Sequence, residues 1–216
     1  AVIGSAMAGK RRGKHIITTN IEHPAILETF KFLESEGFEV TFLPVNKDGH
    51  LEPDTLKAAL RPDTILVSVM YVNNEIGAIE PIAELGKVIK EFNPEIIFHV
   101  DAVQAFGKVK IAPYREKIDL LSISSHKIHG PKGVGVLFIK DKTKIRPIVF
   151  GGGQQKNMRS GTENVPGIVG IGTAIERAVR TMQERTKKET EVRDYLINRI
   201  LTEIPNCRLN GDPVKR

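Results

Sequence analysis

The chain has 216 residues, 40% of them hydrophobic and 27% charged, with a formal net charge of +6. That composition is globular and excludes a low-complexity or disordered chain. No run of about 18 apolar residues occurs, which excludes a membrane-spanning helix, and the basic residues are scattered among only 6% aromatics, which argues against a nucleic-acid-binding module.

Residues 1–12 read as the tail of a helix with a basic last turn. Ala1–Gly4 lacks the charged lead and long apolar stretch of a signal peptide, so none is expected. His15–Thr19 (HIITT) is a β-branched strand candidate. Pro24 opens a helix with the stripe Ile26, Leu27, Phe30 and Leu33, and Gly37 stops it. Glu39–Leu43 is the next strand, Asp48-Gly49-His50 a turn, and Pro53 starts a short helix ending near Arg61-Pro62. Thr64–Tyr71 is nearly continuous apolar sequence, the mark of a strand covered on both faces. Pro81 starts a helix, and Ile96–Val100 is a strand running into Asp101.

Leu120–Ser124 and Val134–Ile139 complete the strands. Alternating strands and helices predict a largely parallel sheet with helices on both faces. The connection Ser125–Gly133 is too short for a parallel crossover, so one of the last two strands is expected to run antiparallel. After the polar loop opened by Gly151-Gly152-Gly153, Val165–Ile204 is helical with a break. Cys207–Leu209 reads as a short strand of a second domain. Cys207 is the single cysteine, which excludes an intrachain disulfide and suits a reducing, cytoplasmic setting.

In open parallel sheets ligands bind at the carboxyl ends of the strands. Asp101 ends a buried strand, where a carboxylate needs a cation or several donors; a helix cap or buried ion pair is the plainer reading. Gln104 follows it in the next turn. Ser124-Ser125-His126-Lys127 ends another strand, and a lysine there suits Schiff-base chemistry. Most lysines, however, are solvated surface residues. Lys132 sits in a Gly-Pro turn and is the poorer choice. Asn73-Asn74 follows the longest strand, although paired asparagines commonly only make a turn. His23, in Glu22-His23-Pro24, suits a helix cap equally well. Met158–Asn164 is a polar loop ahead of a helix start, a place that attracts anions. His99 with Asp101, or His126 with His129, lacks a third ligand at metal-binding spacing. Taken together the strand-end residues answer a pyridinium nitrogen, a phenolic oxygen, a phosphate and an aldehyde, the inventory of pyridoxal phosphate (PLP).

The segments GKHIITTNIEH, VNNEIGAI, FHVDAVQAFGK, SSHKIHGPKGVG and GGGQQKNMRSGTENV, in this order, resemble the cysteine desulfurase family (NifS/IscS-like) of class-V aminotransferases. The resemblance implies an α/β, three-layer fold-type-I PLP-transferase large domain with a mostly parallel sheet over residues 1–182. It implies the beginning of a smaller α+β domain over 183–216. It assigns Lys127 to the cofactor aldehyde, Asp101 to the pyridine nitrogen, and His23 to stacking on the ring and moving protons. Asn74 and Gln104 fall to the ring hydroxyl, and Ser124, Ser125 and His126 to the phosphate. Thr162 falls to the phosphate of the partner subunit in a homodimer. The implied reaction turns L-cysteine into alanine and hands its sulfur, as a protein persulfide, to a sulfur-acceptor or scaffold protein, as in iron–sulfur cluster assembly.

The family's upstream phosphate-binding threonine, its mobile-loop cysteine and its carboxylate-binding arginine have no counterpart here. The chain therefore reads as an internal fragment, itself inactive. Cys207 is not expected to replace the missing nucleophile, because a strand would fix its thiol. A selenocysteine lyase and a non-catalytic truncated fragment are the alternative readings.

Overall fold

In the computed structural model, which describes residues 1–216, six of the predicted strand segments form one sheet. They are β1 (His15–Thr19), β2 (Glu39–Leu43), β3 (Thr64–Met70), β4 (Ile97–Asp101), β5 (Leu120–Ser124) and β6 (Gly135–Ile139). The spatial order is β2-β1-β3-β4-β5-β6. Every pairing is parallel except β5–β6, the reversal that the short connection between them dictates. The helices are α1 (Val2–Gly9), α2 (Pro24–Ser35), α3 (Pro53–Ala59), α4 (Ile82–Phe92), α5 (Val165–Arg180) and α6 (Met182–Glu203). Proline stands in the first turn of α2, α3 and α5, where a missing N–H costs nothing.

Alternation along the strands divides the core between two faces. Ile16, Ile97 and Leu120 meet Val2 and Ala6 of α1 and Ile26, Phe30 and Leu33 of α2. On the other face Ile17, Val67, Val69, Phe98 and Val100 meet Leu56 of α3 and Ile82, Leu85 and Ile89 of α4. The result is the expected three layers, with β3 buried along its whole length.

Two histidines cross this sheet as hydrogen-bonded rungs. His99 joins Ser68 Oγ through Nδ1 and Ser122 Oγ through Nε2, both at 2.8 Å. His15 joins Thr64 Oγ1 at 2.7 Å and Thr41 Oγ1 at 2.8 Å in the same way. Burial pushes His99 down to about 3, so the ring is neutral and serves strand alignment.

The helical stretch expected over Val165–Ile204 is present as α5 and α6, broken at Thr181. Helix α6 has no buried residue, and it is latched to the turn after β4 by Arg185, which donates to the Gly107 carbonyl at 2.8 Å, and by Thr186, which donates to the Lys108 carbonyl at 2.9 Å. The strand Cys207–Leu209 is not formed. Those residues follow a left-handed turn at Asn206 (φ 62°) and pair with no neighbouring strand. A three-residue alternation cannot hold extended backbone without a partner. Cys207 is exposed in coil, so no strand fixes its thiol. The last residues lie against the Asp48–His50 turn, with His50 Nε2 at 3.1 Å from Asp212 Oδ2.

Candidate active site

The parallel strands bring the carboxyl ends of β1, β3, β4 and β5 to one edge. Register places Met70 beside Asp101 and Asp101 beside Ser122. Of the residues singled out from sequence, all but Thr162 follow from that edge: His23 after β1, Asn74 after β3, Asp101 closing β4 with Gln104 in the next turn, and Ser124 closing β5. Ser125, His126 and Lys127 form the 3-10 turn Ser125–Ile128 that continues β5.

Asp101 is half-buried and accepts one backbone bond, from Val103 N–H at 2.9 Å. Burial pushes its carboxyl up, against the opposing pull of that bond and of the nearby His23. No lysine or arginine pairs with it, so the anticipated ion-pair reading is not met. A half-buried carboxylate without a cation is costly unless a cationic ligand completes it. His23 is exposed and is also the N-cap of α2, since Ala25 N–H donates to its Nδ1 at 3.1 Å. That bond leaves the proton of the neutral ring on Nε2.

Ser124 Oγ and His126 Nδ1 are 2.7 Å apart. Ser125 is fully buried, and its Oγ has no hydrogen-bond partner. The chain returns over it at Gly130, where a Cβ would lie 2.2 Å from that Oγ, so only glycine permits the approach. Ile128, Ile171 and Ala178 fix the turn against α5. Lys127 is exposed on the turn. Its charge adds to burial in pushing Lys108 down. Lys108 Nζ in turn donates to Gln104 Oε1 at 3.1 Å. An ammonium only donates, so this bond assigns the oxygen of Gln104 and frees its NH2 for a ligand.

Two members are less engaged. The Asn74 amide donates to Glu75 Oε1 at 2.7 Å. Its neighbour Asn73 builds the turn, accepting from Glu75 and Ile76 N–H at 2.9 Å each and donating to the Ile21 carbonyl at 3.0 Å. Thr162 is exposed in the loop before α5 and makes no hydrogen bond to the strand-end residues, while Asn164 caps α5 through Gly167 N–H at 3.1 Å.

Sequence reasoning passed over Glu22. It is buried, and its Oε1 accepts from Thr19 Oγ at 2.7 Å and Met70 N–H at 2.9 Å, while Oε2 is unpartnered. Burial above all, then the charges of Asp101 and Glu80, push it up to about 8 against those two bonds. The available signal was a carboxylate placed just past a strand with no exposed position.

The donor set fits PLP on this structure's own terms. It has an uncompensated carboxylate for a cationic ring nitrogen, the accessible Ser124 hydroxyl and His126 ring for a phosphate, a free amide for a ring oxygen and an accessible lysine for an aldehyde.

Comparison with known proteins gives the same direction. The aminotransferase class-V family matches residues 1–216. The cysteine desulfurase IscS of Dictyoglomus turgidum is 52% identical over 211 residues, 98% of this chain and 53% of the relative. That of Methanosarcina thermophila is 51% identical over 216 residues, 100% of this chain and 53% of the relative. The chain thus spans about half the length of the curated relatives it matches. Among solved structures, a NifS-like protein superposes with a TM-score of 0.90 at 42% identity, over 93% of this chain and 55% of that one. SspA in complex with cysteine superposes with a TM-score of 0.76 at 40% identity, over 86% of this chain and 56% of that one.

Proposed function

Because the chain belongs to the aminotransferase class-V family, we propose that it carries the PLP site of a cysteine desulfurase. The observation that carries this reading is Asp101, a carboxylate at a strand end with no cationic partner in the protein. Lys127 would hold the cofactor aldehyde, Asp101 the ring nitrogen, and Asn74 and Gln104 the ring oxygen. Ser124, Ser125 and His126 would hold the phosphate, with His23 on the ring face. When bound, PLP supplies an electron sink that loosens bonds at the substrate α-carbon.

The protein's part is positioning and proton handling. Asp101 stabilises positive charge where the ring nitrogen sits. His23, its Nδ1 engaged by the helix it caps, offers Nε2 for proton transfer. Lys127 is an amine on an accessible turn. The proposed reaction breaks the carbon–sulfur bond of L-cysteine and forms a sulfur–sulfur bond with a protein thiol, leaving alanine and a persulfide. The desulfurase relatives, and the cysteine complex of one structural neighbour, support cysteine as substrate. A sulfur-acceptor protein receives the sulfur, iron–sulfur cluster assembly is the pathway, and the cytoplasm is the location. Thr162 serves the phosphate of the partner subunit in a homodimer. The domain boundary is placed between residues 182 and 183.

The test is to load the chain with PLP, reduce with borohydride and map the label. Label on Lys127 that vanishes in Lys127→Ala is the expected result; label on Lys132 overturns the assignment.

A further inference from the structure

Three buried side-chain atoms have no hydrogen-bond partner: Glu22 Oε2, Glu80 Oε1 and Ser125 Oγ. The Ser125 hydroxyl already belongs to the phosphate end of the site. Glu22 has been given no role. Its Oε1 is bonded on one side to Thr19, the last residue of β1, and on the other to the backbone of Met70, the last residue of β3. Met70 is the register partner of Asp101, so this clamp closes beside the carboxylate proposed to meet the ring nitrogen.

We propose that Glu22 is a positioning residue of the site: as the neutral acid it ties the end of β1 to the end of β3 and so holds that end beside Asp101. Oε1 is the shared acceptor, and Oε2 carries the proton. An ionised Glu22 would expose a bare oxygen to a buried setting with no donor, which is costly. It would also set a second anion near Asp101 with no cation between. The groups acting on it are Asp101 from β4 and Glu80 from the β3–α4 connection. His23 acts on Asp101, and His50 acts on Glu80. Loss of the Glu22 proton leaves Oε2 a bare buried anion, loosens the clamp that holds the end of β3 beside Asp101 and so weakens the placing of that carboxylate against a cationic ring. That last consequence rests on the PLP reading above; the protonation of Glu22 does not.

The sign of the pH effect follows. Glu22 is raised from the ordinary 4.5 to about 8 in the folded chain. The folded state keeps a proton that the unfolded chain releases, so stability falls as pH climbs from the unfolded value through the folded one. Glu80, raised to about 7, acts in the same sense, so Glu22 is examined in a Glu80→Gln background. There Glu22→Gln keeps the acceptor, puts an N–H donor where the acid had its proton, and cannot ionise. The expected result is that the slope of the unfolding midpoint between about pH 5 and pH 8 loses the downward contribution of one carboxyl, leaving only the contributions of other groups such as Asp101 and His99; an unchanged slope overturns the proposal. If Glu22→Gln does not fold, infrared spectra of the Glu80→Gln chain with isotope-labelled glutamate decide. A protonated carboxyl band present at neutral pH and lost above about 8 supports the proposal, and its absence at neutral pH ends it.

With PLP, affinity should drop roughly tenfold between about pH 7 and pH 9 and stay level in Glu22→Gln; parallel profiles overturn the proposal. A chain that retains no PLP at any pH defeats the functional reading, and the stability and infrared measurements still judge Glu22.

Discussion

The two edges of the sheet treat buried charge in opposite ways. At the amino edge Asp119, just before β5, accepts from Phe98 N–H at 2.9 Å and pairs with both Lys90 and Lys140. Arg12 there donates to the Glu95 carbonyl at 3.0 Å and its carboxylate at 3.2 Å. A cleft of about 230 Å³ lies among these groups, and its buried carboxylate Asp119 is answered by two lysines. At the carboxyl edge Glu22, Glu80 and Asp101 are all pushed up by burial, and none has a lysine or arginine partner. One strand set thus builds a self-sufficient edge and an edge left incomplete. Incompleteness of charge, more than cavity size, distinguishes the edge built for a ligand.

The sharpest way to break this comparison is Asp119→Ala. It strands a mostly buried Lys90 and removes the acceptor of Phe98 N–H. Urea unfolding should show a loss of about 3–5 kcal/mol. A cost under about 1 kcal/mol would mean that the amino edge is not held by its charges. Asp101→Asn is the matching change at the other edge. It removes a carboxylate that no cation compensates, so stability should move by less than about 1 kcal/mol while PLP affinity falls by roughly tenfold or more. Equal damage to stability at both edges would erase the distinction. The smallest effect belongs to Cys207→Ser, away from both edges. Unfolding should shift by no more than about 0.5 kcal/mol, and the wild-type thiol should react with a disulfide reagent in the native chain as fast as in the unfolded one. A protected thiol would show that the coil around it is ordered by contacts beyond those described.

Much of this was legible in the sequence because the signals were local or periodic. Strands β1, β2 and β5 begin and end where the sequence reading places them, and the β5–β6 reversal follows from connection length alone. The strand-end ring was legible because parallel topology makes the last residue of each strand a neighbour of the others. What escaped depends on depth and partners. Glu22 and Asn73 stand one residue from His23 and Asn74, and sequence does not say which of two adjacent polar residues turns inward. Cys207–Leu209 has strand-like alternation, but a strand needs a neighbour, and none is within reach. The ion pairs of Asp119 join residues up to 29 positions apart, a separation that no local pattern reveals.

The strand order has a consequence for how such a sheet is made. Synthesis runs from the amino terminus, and domains form as the chain emerges. Each of β2, β4, β5 and β6 pairs with the strand translated immediately before it, and only the β1–β3 pairing skips one. As every strand after β1 leaves the ribosome, a strand it will bond to has already been made. The growing sheet always offers one open edge to the next arrival, with little waiting for distant sequence.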